Sequence, residues 1–121
     1  MNHYGLLFLR VSFAGTMLVV HGFEKLTGFA AFAPGFPDPF HIGSSLSLGL
    51  AVFAEFFCSV AVVIGVQTRF TILPLIATMG VAFFKIHALD PFMKKELALV
   101  YLFGFISILL LGPGKYSLDR R

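Results

Sequence analysis

Charged residues and cysteines are scarce in this sequence of 121 residues. Asp, Glu, Lys and Arg make up 12% of it, about half their share in an ordinary soluble domain. Such a composition excludes a disordered segment and almost any soluble fold. Cys58 is the single cysteine, so neither an internal disulfide nor a CxxC redox pair can form. The sequence also lacks a P-loop, a dinucleotide fingerprint and an HExxH element, so no motif assigns catalytic residues.

Apolar residues dominate what is present. They make up 58% of the chain, and the mean hydropathy is +0.92. The net charge of +3 fits basic residues that flank membrane spans, and no basic stripe with interleaved aromatics points to nucleic acid. A membrane-spanning helix needs about 20 apolar residues. Four such helices would therefore use most of the chain and leave only short loops.

The pattern predicts an all-α integral membrane protein, an antiparallel four-helix transmembrane bundle that forms a single domain over residues 1–121. The predicted spans cover residues 4–23, 43–65, 68–87 and 94–111. Gly112-Pro113-Gly114 is a strong stop signal after the last span. Basic residues divide evenly between the two sides. Lys25 and Lys85 lie at helix ends and could point inward, and leaving them out favours cytoplasmic termini.

Residues 24–42 form an unusual connection between the first two spans. The segment contains three prolines, but it also contains four phenylalanines, which a solvated loop would not carry. We expect this aromatic outer loop to lie at the membrane interface or to fold over the mouth of the bundle as a lid.

Two ionisable residues stand out because they lie well inside the predicted spans, Arg10 in the first and Glu55 in the second. Each costs about 2.5–3.5 kcal/mol on insertion scales. With both termini on one side, their depths are compatible, so the sequence predicts a buried Arg10–Glu55 pair. The pair could be a structural clamp that fixes helix register, or a site that handles protons or a ligand, and pairing alone does not separate the two.

A second group of ionisable residues collects at the opposite end of the bundle. Its main members are His21, Lys25, Lys85, His87 and Glu96. They are either interfacial side chains that snorkel to water or the wall of a polar pocket, the candidate ligand or proton site. Zinc, iron or haem is disfavoured because the ligands would come from separate helices with no compact motif. An apolar, aromatic cleft with polar groups at its mouth suits a quinone better.

Three elements of the sequence resemble the DoxX-like family of membrane proteins. They are His21-Gly22-x-x-Lys25, then Glu55 followed by Gly65-x-x-Thr68-Arg69, and the C-terminal stretch Gly112-Pro113-Gly114-Lys115-Tyr116-Ser117-Leu118-Asp119. The resemblance implies a four-helix protein of a bacterial inner membrane. Some members of the family look like membrane subunits of thiosulfate:quinone oxidoreductases, and others look like accessory subunits of redox-stress complexes.

The resemblance and the buried polar face together suggest a DoxX-type membrane subunit of a quinone-linked redox or redox-stress complex. In this hypothesis Glu55 takes or passes protons, Arg10 holds its charge, and His21, Lys25 and His87 contact the head of a lipophilic ligand. The expected partners are the bilayer and either other proteins of a complex or further copies of the chain. The alternative is a non-enzymatic scaffold or accessory subunit, and a transporter of a small solute is a third hypothesis.

Overall fold

A computed structural model of the chain describes residues 2–119. Within that range the chain forms helices and turns and no strand. The five helices are α1 His3–Thr27, α2 Phe29–Phe32, α3 Ser44–Ile64, α4 Thr68–Ile86 and α5 Phe92–Leu111. Asn2 caps the first of them, because its side-chain oxygen accepts a hydrogen bond from the Gly5 backbone N–H at 3.0 Å.

Three helices, α1, α3 and α4, are long and apolar enough to cross a membrane. This confirms the expected all-helical membrane protein. Helix α5 has 20 residues and is equally apolar over most of its length, but Lys94, Lys95 and Glu96 place three charges in its first turns.

The segment between the first two spans is more helical than expected. Helix α1 continues four residues beyond the predicted end at residue 23 and reaches Thr27. After Gly28 the chain forms α2 and a 3-10 turn, Ala33–Gly35. The reason is local: Phe23–Thr27 contains no helix breaker, and Gly28 closes the helix with a bond from its N–H to the Glu24 carbonyl.

The four long helices pack in a ring, in which α1 contacts α3, α3 contacts α4, α4 contacts α5, and α5 contacts α1. The main core lies between them. Its fully buried members include Met17, Val62, Ile72, Leu75 and Phe105. Gly104 lets α5 approach α1, because a Cβ at this position would overlap the ring of Phe13.

The two ends of the described range, residues 2–119, meet at one end of the bundle, which we call the termini end. The Lys115 backbone N–H donates to His3 Nδ1 at 3.1 Å, and the rings of Tyr4 and Tyr116 stack with centroids 5.0 Å apart. The Asp119 carboxylate accepts from backbone N–H groups at the start of α4. The C-terminal segment therefore covers the α3–α4 turn.

Three stretches of the long helices have π-helical hydrogen bonding, Met17–Gly22, Phe53–Cys58 and Ala82–Ile86. Each lies in the half of the bundle away from the termini end, which we call the cavity end. Such widened turns are frequent at functional sites. Two of them carry the polar residues His21 and Glu55.

Candidate functional site

A cavity of about 590 Å³ occupies the cavity end of the bundle. Helices α1, α3, α4 and α5 and the loop before α3 all contribute to its wall. Most of the lining is apolar, and its polar or charged members are His21, Lys25, Ser47, Glu55, Thr78, His87, Lys94 and Tyr101. A largely apolar pocket of this size with a few converging polar groups is the usual form of a small-molecule site.

An ion pair between α1 and α3 is the most buried polar feature of the cavity. Lys25 Nζ lies 2.8 Å from Glu55 Oε1, and the two side chains are 23% and 4% exposed. Within residues 2–119 no hydrogen bond reaches the second carboxylate oxygen of Glu55. The ion pair therefore relieves the burial of Glu55 and still leaves one acceptor for a ligand or a proton.

Gly22 brings the two partners together. A Cβ at this position would overlap the backbone carbonyl of Glu55, so only glycine allows α1 and α3 to approach this closely. From one turn further along α1, the long side chain of Lys25 then reaches back to the carboxylate.

A second polar contact lies between α1 and α5. The rings of His21 and Tyr101 meet edge to face with centroids 5.5 Å apart, and both residues line the cavity. Among the described residues neither the imidazole nitrogens nor the Tyr101 hydroxyl has a hydrogen-bond partner. Both groups therefore have unused hydrogen-bonding capacity beside the Lys25–Glu55 pair.

The other residues of the predicted polar group are dispersed. His87 lines the cavity, and its Nδ1 lies 2.7 Å from Asp90 Oδ2. Lys85 does not line the cavity but lies over the ring of Phe40, with Nζ 5.1 Å from the centroid. Glu96 is exposed and also lies outside the lining. The structure thus brings His21, Lys25 and His87 to the cavity and leaves Lys85 and Glu96 outside it.

The loop between α2 and α3 covers part of the cavity. Phe36, Phe40 and Ile42 contribute to the lining. Asp38 holds the loop in place, because its carboxylate accepts bonds from two backbone N–H groups, at Ile42 and Gly43, and from the Ser47 hydroxyl.

The pKa of Asp38 reflects this network. Desolvation raises the pKa of the carboxyl, but the hydrogen bonds from Ser47, Gly43 and Ile42 outweigh it, and the pKa lies below its ordinary value.

The predicted pairing of Arg10 with Glu55 is wrong. Arg10 is 1% exposed, but its guanidinium donates to the backbone carbonyls of Val62, Val63, Pro113 and Tyr116 at 2.6–3.3 Å. The end of α3 offers carbonyls that lack intrahelical partners, at the negative end of the helix dipole. The guanidinium therefore finds its acceptors at the termini end, while Glu55 pairs with Lys25 at the cavity end.

Sequence reasoning did not single out Tyr101 or Lys94 as cavity residues. A signal was present, because Lys94, Ala98 and Tyr101 follow an i, i+4, i+7 pattern on one face of α5. All three line the cavity. Over residues 2–119 no group of three or more His, Cys, Asp or Glu side chains could hold a metal ion.

These features define a helical membrane protein with a mainly apolar internal cavity and a buried ion pair. The DoxX family model matches residues 5–88, and the chain belongs to the DoxX family. It is similar to an uncharacterized protein of Haemophilus influenzae, with 32% identity over 106 residues, 81% of this chain and 70% of the relative. No solved structure matches the chain significantly.

Proposed function

We propose that this DoxX-family protein is a membrane subunit of a redox or redox-stress complex and binds a lipophilic, quinone-like molecule in its cavity. The observation that carries the proposal is the unused hydrogen-bonding capacity inside an apolar chamber. A free carboxylate oxygen of Glu55, the His21 imidazole and the Tyr101 hydroxyl all meet there. An amphipathic ligand would satisfy these polar groups and fill the apolar space.

Each polar group has a role in the proposal. Lys25 and His21 donate to the oxygens of the head group, and Tyr101 donates to or accepts from the same ring. Glu55 takes or passes a proton at its free oxygen, and its charge is held by Lys25. His87 contributes from the position directly after α4, ahead of the helix-breaking Asp90-Pro91.

The proposal also includes a fourth span, formed by α5, and a bacterial inner membrane location with cytoplasmic termini. The continuous packing of α5 against α4 and α1 supports the fourth span, because its apolar residues then complete the ring. The charges Lys94, Lys95 and Glu96 would lie at the interface, where lysine side chains snorkel. Modification of engineered surface cysteines from each side of sealed vesicles tests the orientation, in a background where Cys58 is replaced by alanine.

Photolabelling tests the ligand. Purified protein is irradiated with a photoreactive benzoquinone, with and without excess unlabelled quinone. We expect competed labelling of peptides that contain His21 or Tyr101, and weaker labelling of Glu55→Gln. Labelling that excess quinone leaves unchanged would contradict the proposal.

A scaffold or accessory role is the second candidate, and the Arg10 clamp favours it. Four backbone acceptors around one buried cation fix α1, α3 and the C-terminal segment together, a purely structural device. A scaffold predicts that Glu55→Gln lowers folded yield but does not change the activity of the assembled complex. Normal yield with lost complex activity would favour the ligand-binding role.

A further inference from the structure

The cavity is not equally closed on all sides. The second half of α3 packs along α4, but its first half packs against the 3-10 turn Ala33–Gly35 and the end of α1. Helices α3 and α4 therefore diverge from their tight turn at residues 65–67 toward the cavity end. The space between them in that half is a candidate opening.

The exposed stripe of α3 reaches this opening. Its large apolar residues recur every three or four positions, at Leu46, Leu50, Phe53, Phe57, Val60 and Ile64. This spacing defines one helix face, which meets lipid in a membrane protein. Leu50 and Phe53 belong to that stripe, at 54% and 52% exposure, and they also line the cavity.

Helix α4, on the other side of the gap, also has an exposed apolar residue that lines the cavity. Phe70, Leu73 and Phe84 mark its exposed apolar stripe. Ala77 continues this stripe one turn after Leu73, is exposed, and lines the cavity. A small residue at this position leaves the gap between the helices open. Pro74, which also lines the cavity, removes one backbone hydrogen bond of α4 at the same level.

The loop closes a different side of the same chamber. Its apolar residues Phe36 and Phe40 line the cavity, and the Asp38 network holds them there. Ile86 of α4 and Leu97 of α5 are also exposed and line the cavity, but α5 packs along α4 as far as the Ala82–Ile86 stretch and closes that side. Among the described residues, the gap between the first half of α3 and α4 is the route that no helix packing closes.

We propose that the gap between Leu50, Phe53 and Ala77 is a lateral portal through which the ligand enters from the bilayer. The inference rests on the proposed function and specifies its ligand class. The ligand is a long-chain, membrane-dissolved molecule whose polar head reaches the Lys25–Glu55 pair while its chain lies in the portal. A water-soluble molecule of the same head group has no need of this route.

The rate of photolabelling in lipid nanodiscs tests the portal. Two photoreactive probes are compared, a decyl-substituted benzoquinone and the same benzoquinone without the chain. In Ala77→Trp the indole should block the gap and slow labelling by the decyl probe roughly tenfold, but leave the chainless probe nearly unaffected. Leu73→Trp places the same indole one turn away, outside the cavity lining, and should label like the wild type.

A second variant acts in the opposite direction and covers the case in which Ala77→Trp does not fold. Phe53→Ala widens the gap and should speed labelling by the decyl probe. Wild-type rates in both Ala77→Trp and Phe53→Ala, or equal effects on the two probes, would overturn the portal but leave the proposed function intact. Absence of competed labelling in the wild type would overturn the proposed function itself.

Discussion

Arg10 is the residue whose replacement should damage the fold most. Each hydrogen bond from a charged donor contributes about 1.5–3 kcal/mol, and Arg10 reaches four carbonyls, two at the end of α3 and two in the C-terminal segment. The desolvation of the guanidinium offsets much of that sum. In Arg10→Met the carbonyls lose their donor. We therefore expect the free energy of unfolding to fall by about 3–5 kcal/mol.

The lone cysteine provides the assay. Cys58 is buried at 3% exposure, so a thiol-reactive fluorophore will label it only as the protein unfolds in detergent. Arg10→Met should lower the Tm by at least about 8 °C. The Tm of Arg10→Lys should lie between those of Arg10→Met and the wild type, because an ammonium keeps the charge but lacks the planar fork that reaches several carbonyls at once.

Lys115→Met is the matched control, since it removes an exposed cation from the same C-terminal segment. The Lys115 ammonium lies over the ring of Tyr116, 5.3 Å from Nζ to the centroid, so the loss of this contact should change stability by less than about 1 kcal/mol. If Arg10→Met has the same Tm as Lys115→Met and the wild type, the hydrogen bonds of Arg10 contribute nothing to stability and the reasoning fails.

Three further outcomes are expected. In double-mutant cycles, Lys25→Met and Glu55→Gln should couple by about 1–3 kcal/mol, whereas Arg10→Met and Glu55→Gln should be additive within about 0.5 kcal/mol; the reverse pattern would restore the pairing predicted from sequence. Gly22→Val should reduce folded yield because its side chain would overlap the Glu55 backbone, and fluorescence-detected size-exclusion measures this. The depressed pKa of Asp38 adds stability that is present above its unfolded pKa near about 4 and is lost as the pH falls through its folded pKa. Asp38→Asn should flatten the acid side of the Tm–pH profile, and an unchanged profile would rule out this contribution.

Hydropathy and helix-stop signals were sufficient to predict the four long helices, because membrane spans need long apolar stretches and little else, but they missed α2 and the continuation of α1 to Thr27. They also predicted that Arg10 and Glu55 are buried, since both lie in such stretches. The depth of each residue within its predicted span did not determine its hydrogen-bond partners. Helical rise places two side chains at similar levels, but it does not show which carbonyls a helix end leaves free.

Two features of the site depend on long-range folding. The acceptors of Arg10 at Pro113 and Tyr116 lie more than a hundred residues away along the chain, and they reach Arg10 only because the C-terminal segment folds back over the α3–α4 turn. Lys25 reaches Glu55 only because Gly22 lets the two helices approach. Neither event leaves a periodic signal in the sequence.

The cations Arg10 and Lys25 have different surroundings, and this difference would separate fold stability from the proposed ligand binding. Arg10 donates from all three of its guanidinium nitrogens to backbone carbonyls, is 1% exposed and does not line the cavity. Lys25 donates one of its three N–H groups to Glu55. Its side chain lines the cavity, so the other two N–H groups are available to a ligand there. Because a charge inside a membrane span is costly, both cations have partners, Arg10 in backbone carbonyls at the termini end and Lys25 in Glu55 at the cavity end. Exchange with a ligand is therefore possible at the cavity end without loosening the clamp that holds the helices together.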